Sequence, residues 1–455
     1  MAGKVSVLDK NGAVTYYSSY LAARTDIINS IIPHPLIQIW ANLNEQIVLL
    51  DGVDVWIAPG VTITNSANDT IVDNKAGFYT DSVDCKIFGF GSIKNTGVKS
   101  CIKIINSGSK ISVECNCVHA MLSLAVYVLP SEKFHLKCNY VYSQNFQAIR
   151  IGEFAQTGIV NDVNLNIIKV ETGELGNFSS GTTAVSTRGN GYIKFDKIVC
   201  NNLGHCLSHQ EVSVIAIIRK LLTTANRSGA IAALHVPGIP QGSEDQNLII
   251  YCDEVTSWAG SSNTSSGVSV EFTGGSLSLF ARKLYSKNLY GFTCGGNIQK
   301  GLICCNEIIS VSNYPLNIAN YNTEVTIIAN FVIGNHQPTV GNPLIVYLFG
   351  TTSIIPKCSI KNAYLRNLNS SSDAKGIYFE NIYSILTLKN AKIVSGSDFG
   401  SNIFLSNGNS IDIFNMGWFG NADIDQSKII QKIGVGTSNT DPIYNYQTII
   451  SPLLD

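Results

Sequence analysis

A chain of 455 residues that is 45% hydrophobic but only 14% charged can bury a large core, and it lacks the charged surface that ordinary soluble domains carry. Its 31 basic and 32 acidic residues leave a net charge of −1, and no run of Lys or Arg forms a phosphate-binding stripe, so nucleic acid is not an expected partner. No apolar run approaches the ~20 residues of a membrane-spanning helix, and MAGKVSVLDKNGAV lacks the features of a secretory signal, so neither membrane insertion nor export by that route is expected.

The first element in chain order is helical. Tyr16 to Ile31, YYSSYLAARTDIINSI, is the best helical candidate in the chain, and a helix over a first coil would cover an open sheet edge. Residues 1–36 therefore read as an N-terminal segment with a helical cap.

From there a repeat takes over. Its pattern is apolar, any, apolar, any, small or apolar, a corner residue, any, apolar. It appears as VDCKIFGF from Val83 in a less regular copy, then ISVECNCV from Ile111, FHLKCNYV from Phe134, VNLNIIKV from Val163, GYIKFDKI from Gly191 and VIAIIRKL from Val214. It continues as LIIYCDEV from Leu248, LSLFARKL from Leu277, GLICCNEI from Gly301 and VTIIANFV from Val325, and ends as CSIKNAYL from Cys358, LTLKNAKI from Leu386 and IDIFNMGW from Ile411. The copies start 23 to 34 residues apart, as expected of a coil with loops inserted at its corners. The alternation has period two, which excludes a helical solenoid.

Between copies lie further short strand patterns, such as AIRIG from Ala148, GVSVEF from Gly267, GIYFE from Gly376 and NIFLS from Asn402. Each repeat thus carries at least two strands and a bend. The expected fold is all-β, a single-stranded right-handed parallel β-helix of about thirteen coils spanning residues 37–419. Stacking at ~4.8 Å per coil makes this a rod of roughly 60 Å. Residues 420–455 read as a C-terminal cap or subunit-contact tail.

The fifth motif position supports parallel stacking. It holds Cys115, Cys138, Cys252 and Cys305 among apolar residues, and later Asn362, Asn390 and Asn415, which in a stack form an amide ladder. The twelve cysteines are therefore expected to be interior free thiols. Asparagine often follows, at Asn116, Asn139, Asn306 and Asn330, and is expected to serve a corner of left-handed backbone.

The opening stretch from Leu36 to Ile63, LIQIWANLNEQIVLLDGVDVWIAPGVTI, together with the stacked motifs and the asparagine column, resembles the pectate-lyase-like superfamily of parallel β-helices over roughly Ile37 to Phe419. Within it the chain looks most like a bacteriophage tailspike or tail fibre. The resemblance implies a homotrimer on the virion tail that is made in the host cytoplasm and acts outside it. Its expected partners are bacterial surface polysaccharide and other tail proteins, and no cofactor is implied. The alternatives are a non-enzymatic structural fibre and a bacterial adhesin or secreted polysaccharide lyase.

Polar side chains between copies mark where chemistry would sit. Glu211 and Glu271 are the candidate carboxylate pair of a glycoside hydrolase, two coils apart at roughly 10 Å, which suits an inverting geometry. His209 or His235 would be the base of a lyase, with Arg188 neutralising a uronate carboxylate. Arg150, Arg188, His235 and Trp258 are the candidate substrate-binding residues, and Tyr285, Tyr290 and Tyr314 join Trp258 as possible stacking platforms. Solvent-facing polarity is the competing account of the charged residues, and packing that of the aromatic ones. No cysteine or histidine spacing suggests a metal site.

Overall fold

The computed structural model describes residues 3–30, 35–73, 83–152, 159–173, 183–201, 205–209, 214–224, 231–236, 247–258, 265–270, 275–294, 298–319, 323–335, 346–349, 357–361, 363–368, 377–380, 385–389, 392–395, 403–404, 410–414, 417–419 and 429–433. Its contacts divide the chain into two units, Met1–Leu203 and Gly204–Asp455. Both are parallel β-solenoid, and among the described residues one short helix accompanies the strands.

In the first unit the N-terminal end is closed by an antiparallel arrangement. Strand β1 (Val5–Leu8) pairs antiparallel with β2 (Val14–Tyr17) on one side and with β3 (Leu36–Ile39), the first strand of the coil, on the other. The open edge is thus satisfied by strand hydrogen bonds, which a helix could not supply. Helix α1 (Tyr20–Ser30) is shorter than the sequence pattern suggests, because Tyr16 and Tyr17 belong to β2. Helix α1 packs on β1 and β2 and buries Tyr20, Ala23 and Ile27, and the Tyr20 hydroxyl donates to the Val48 carbonyl at 2.7 Å.

The repeat forms one long strand per coil. In the first unit these are Lys110–Ala120, Lys133–Ser143, Val160–Thr172 and Gly189–Cys200. In the second they are Val214–Thr223, Asn247–Ser257, Ser276–Ser286, Lys300–Ser310 and Glu324–Gly334. Burial explains the shape of each. In Lys110–Ala120 the inward residues are Ile111, Val113 and Cys115, then Val118 and Ala120, so the alternation slips by one at Asn116 and Cys117. Two successive outward residues bend the strand without exposing its interior side, and the ladder pairs Cys115 with Cys138 and Cys117 with Tyr140, passing over Asn116.

The corner asparagines are not left-handed: Phe90 is the one non-glycine residue with positive φ among the described residues. Asparagine serves the corner differently, by bonding to its counterpart on the adjacent coil. Asn139 Nδ2 donates to Asn116 Oδ1 at 3.0 Å, and Asn330 Nδ2 to Asn306 Oδ1 at 2.6 Å. Asn362, Asn390 and Asn415 lie outside the described residues.

Register follows the motif closely. Ile111 pairs with Phe134, Phe134 with Val163 and Val163 with Gly191 in the first unit. In the second, Val214, Leu248, Leu277, Gly301, Val325, Cys358, Leu386 and Ile411 follow one another in register. The copy at Val83 departs from this, since Ile111 pairs with Cys85 and not with Val83. One extra residue then follows at Gly89-Phe90-Gly91, since Val113 pairs with Ile87 but Cys117 with Ser92, with Gly89 at φ 107° and Phe90 at φ 62°. A Cβ on Gly89 would stand 2.4 Å from the Ile57 carbonyl oxygen, so only glycine fits.

The solenoid comes to about eight turns, fewer than the thirteen motif copies imply. The copies at Val83, Cys358, Leu386 and Ile411 are split into two short strands, as at Asp84–Phe88 and Ser92–Asn95 or at Lys357–Lys361 and Tyr364–Asn367. Beyond Phe419, Ile429–Ile433 still pairs parallel with Ser410–Phe414.

Each unit also carries a second parallel sheet, built from the inter-copy segments. In the first unit it includes Ile102–Ile104, Val126–Val128 and Ile149–Ile151, and in the second Ile231–Val236, Ser265–Val270, Phe292–Cys294 and Leu316–Ala319. Between the sheets lies an aliphatic interior in which Ile102, Phe134, Ile149, Leu279 and Phe292 are fully buried, each stabilising the fold by ~1.5–3 kcal/mol. All twelve cysteines are free thiols and all but Cys117 are buried. Buried serines ending the long strands close the turns, because Ser143, Ser286 and Ser310 each accept the amide of the residue three positions on, at 3.1 Å.

Candidate functional site

On a parallel β-helix the outward residues of successive coils form columns, so chemistry assembles from single residues contributed by different strands. The first unit carries two such faces. Before the corner, one outward column runs Lys86, Ser112, His135, Asn164, and the next contains Glu114, Lys137, Asn166. They line an open groove of about 300 Å³. Two polar pairs lie along it, Lys137 with Glu114 at 2.6 Å and His135 Nε2 with Asp162 at 2.9 Å. Such exposed pairs contribute ~0–1 kcal/mol each.

Beyond the corner the columns are richer in chemistry. One runs Lys94, His119, Tyr142, Glu171 and the other Ser92, Cys117, Tyr140, Lys169, Lys197. Glu171 accepts from the Tyr140 hydroxyl at 2.7 Å, from Lys169 Nζ at 2.5 Å and from Asn201 Nδ2 at 3.4 Å. Burial pushes its carboxyl up, but the bonds from Lys169, Tyr140 and Asn201 outweigh this and hold it below the usual range. Tyr140 and Tyr142 stack with centroids 5.9 Å apart, and the His119 ring stands edge-on to Tyr142 at 4.9 Å. His119 is held below the usual imidazole range by burial and then by the charge of Lys94, and its Nε2 has no hydrogen-bond partner.

The second unit presents aromatic side chains instead. Trp258 is 49% exposed at the end of its strand, and its ring meets Tyr285 at 5.3 Å. Lys283 Nζ lies 5.2 Å over the Tyr285 ring. Tyr290 and Tyr314 occupy equivalent turns one coil apart, with centroids at 4.8 Å and hydroxyls at 3.1 Å, and Tyr347 continues the row at 5.6 Å from Tyr314. Beside them Asn317 Nδ2 donates to Thr293 Oγ1 at 3.0 Å. The outward column before the corner, polar in the first unit, is here apolar, and its Tyr251 and Phe280 rings stack at 5.0 Å.

The residues expected from sequence fall as follows. Arg150 and Arg188 are neighbours in the first unit: Arg150 pairs with Ser186, and the Arg188 amide donates to the Ile151 carbonyl at 2.8 Å. Arg150 lies over Tyr127 at 5.7 Å, and Arg188 is 6% exposed. His235 stacks on buried His205 at 4.1 Å with the rings 14° apart, and the Ala232 amide donates to His205 Nδ1 at 3.0 Å. His209 ends the strand His205–His209, its side chain outside the described set. Glu211 and Glu271, and with them the carboxylate separation, also lie outside the described residues. Among the described residues no three His, Cys, Asp or Glu side chains gather as a metal site requires.

The residues that sequence reading missed are Lys94, His119, Tyr140, Tyr142, Lys169 and Glu171. For all but Lys94, whose copy is out of frame, the signal was present at the seventh and ninth residues counted from the start of each copy, once the copies are written one above the other. Comparison with family models, curated proteins and solved structures finds no match for this chain.

Proposed function

We propose that this protein is a glycan-recognising parallel β-helix of the pectate-lyase-like kind, a bacteriophage tailspike or receptor-binding protein that acts as a homotrimer on bacterial surface polysaccharide. The observation that carries the reading is the row Tyr290, Tyr314, Tyr347, with Trp258 and Tyr285, on the outside of the second unit. Aromatic faces stack on the apolar faces of pyranose rings, and polar neighbours such as Asn317 and Thr293 supply hydroxyl partners. A row that repeats at the coil spacing suits a polymer better than a small molecule. Depolymerisation by Glu211 and Glu271, or by His209 as a base, extends this reading.

A panel of capsular and O-antigen polysaccharides tests it, with binding and reducing-end release measured side by side and the subunit number taken from sedimentation. Binding lost in Tyr314→Ala supports recognition, and release lost in Glu211→Gln or Glu271→Gln supports hydrolysis. No binding to any glycan would favour the second reading, a structural fibre. That reading draws on the cross-coil pairing of Glu114 with Lys137 and of Lys220 with Glu254, which spends surface charge on the protein itself.

A further inference from the structure

The antiparallel closure of the first coil passes the open edge outward without abolishing it. Strand β3 is covered by β1 and β1 by β2, but β1 is the one partner of β2 among the described residues. Val14 and Tyr16 on one face of β2 and Thr15 on the other are all exposed. Natural edge strands carry charges, proline or a bulge that discourages pairing. Strand β2 has none of these: from Ala13 to Ala23 the chain holds no charged residue and no proline, and β2 follows β1 without a register shift. The long strands of the same unit all carry charge, as at Lys110 and Glu114 or at Lys133 and Lys137.

Hydrogen bonding along the hairpin fixes what this free edge offers. The Asp9 amide donates to the Ala13 carbonyl at 3.0 Å, so the Ala13 backbone points toward β1. Antiparallel bonding alternates along a strand, so the amides and carbonyls of Thr15 and Tyr17 point the same way, and those of Val14 and Tyr16 point to the open side. Such an edge is complementary to itself after a half rotation. An antiparallel copy with Thr15 opposite Thr15 sets Val14 opposite Tyr16 on both sides of the centre, and each free amide and carbonyl of these residues finds a partner. The same register keeps outward side chains beside outward ones. Val14 meets Tyr16, a β-branched residue against an aromatic one, and threonine meets threonine, both favourable cross-strand pairs. Beyond the ladder Gly12 faces Ser18, so no like charges meet.

We propose that β2 is a self-association edge, through which a second copy of this chain pairs antiparallel about a twofold axis at Thr15. Tyr16 at 56% and Trp40 at 50% exposure stand on the outward face beside this seam, since Tyr16 lies opposite Ser6 and Trp40 Nε1 donates to the Ser6 hydroxyl at 2.9 Å. Their rings give the seam an apolar flank, which Val14 of the other copy extends. A strand of four residues makes a small contact, so the association is reversible and depends on concentration. It does not rest on glycan recognition, and a trimer paired in this way becomes a hexamer.

Sedimentation velocity of the full chain across the micromolar range, run beside Thr15→Lys, tests the pairing. The unaltered protein should form assemblies of two chains, or of six where the trimer also forms. Thr15→Lys sets two ammonium groups directly opposite each other and should reduce these to one or three. Thr15 is exposed, so urea unfolding of the two proteins should coincide. Cross-linking gives a readout that adds no charge. At the twofold axis the paired Cα atoms lie ~4.5 Å apart, within disulfide reach, whereas Ala13 lies ~14 Å from its counterpart. Thr15→Cys treated with oxidised glutathione should therefore yield a covalent dimer, and Ala13→Cys should not. One or three chains at every concentration of the unaltered protein, assemblies that persist in Thr15→Lys, or equal cross-linking at the two positions overturns the proposal.

Discussion

Asn330 Nδ2 donates to Asn306 Oδ1 at 2.6 Å across one coil step, and Asn330 is 7% exposed. The equivalent bond from Asn139 to Asn116, at 3.0 Å, joins side chains that face solvent. The two bonds have the same geometry and different surroundings, so they should differ in energy. Truncating Asn330 removes a largely buried donor and leaves Asn306 without its partner, at a cost of about 1–2 kcal/mol, whereas water replaces the lost partner at Asn139. Urea unfolding of Asn330→Ala and Asn139→Ala should show this ordering. Equal effects would mean that burial does not set the strength of the corner bond.

The inward residues were legible in the sequence because a parallel stack places like on like, and aliphatic alternation in one copy repeats in the next. Register across most copies follows from the same rule. The departures have local causes. The copy at Val83 starts two residues out of frame, and the one extra residue at Gly89-Phe90-Gly91 follows it, which a pattern without backbone angles cannot reveal. The corner asparagines were visible, but their conformation was misjudged: their side chains bond between coils instead of turning their own backbone. The outward columns were the least legible. Lys94, His119, Tyr142 and Glu171 come from four strands and share no local motif, so only the register brings them together.

The thiols permit a sharp test. Cys85, Cys115, Cys138, Cys252, Cys305 and Cys358 are buried, and desolvation raises the pKa of Cys305 to about 12. Cys117 faces outward and is half-exposed, though burial still lifts it to about 11. Since the thiolate is the reactive form, a maleimide at neutral pH should label the native protein slowly and at one position, with the remaining thiols reacting after denaturation. Peptide mapping that finds rapid labelling at Cys138 or Cys252 would contradict the inward placement of that column.

Asp73 makes stability depend on pH. Its side chain is fully buried and accepts from Ser109 Oγ at 2.6 Å, from the Ile105 amide at 2.6 Å and from the Asn106 amide at 3.1 Å. Burial raises its pKa, and those bonds only partly offset the rise. The folded chain therefore holds this proton more tightly than the unfolded chain. Its contribution is fully present below the unfolded aspartate value of ~3.9 and is lost as pH rises through the higher folded value. Relative to Asp73→Asn, the unaltered protein should gain thermal stability as pH falls from 7 toward 4. A difference that is flat or opposite in sign across that range would show that the three hydrogen bonds outweigh desolvation.

The aromatic rows give a prediction in which stability and recognition separate. Trp258 is 49% exposed, so removing its side chain forfeits contact with Tyr285 but opens no interior cavity, and unfolding should shift by less than ~1 kcal/mol. Stacking on a sugar uses the exposed face itself, so the same Trp258→Ala change should weaken polysaccharide binding about tenfold or more. Tyr314 refines the argument, because its hydroxyl already contacts that of Tyr290 at 3.1 Å. Tyr314→Phe keeps the ring and should retain most of the binding, while Tyr314→Ala should not. If phenylalanine proves as damaging as alanine, the hydroxyl network and not the ring faces is the element that recognises the glycan.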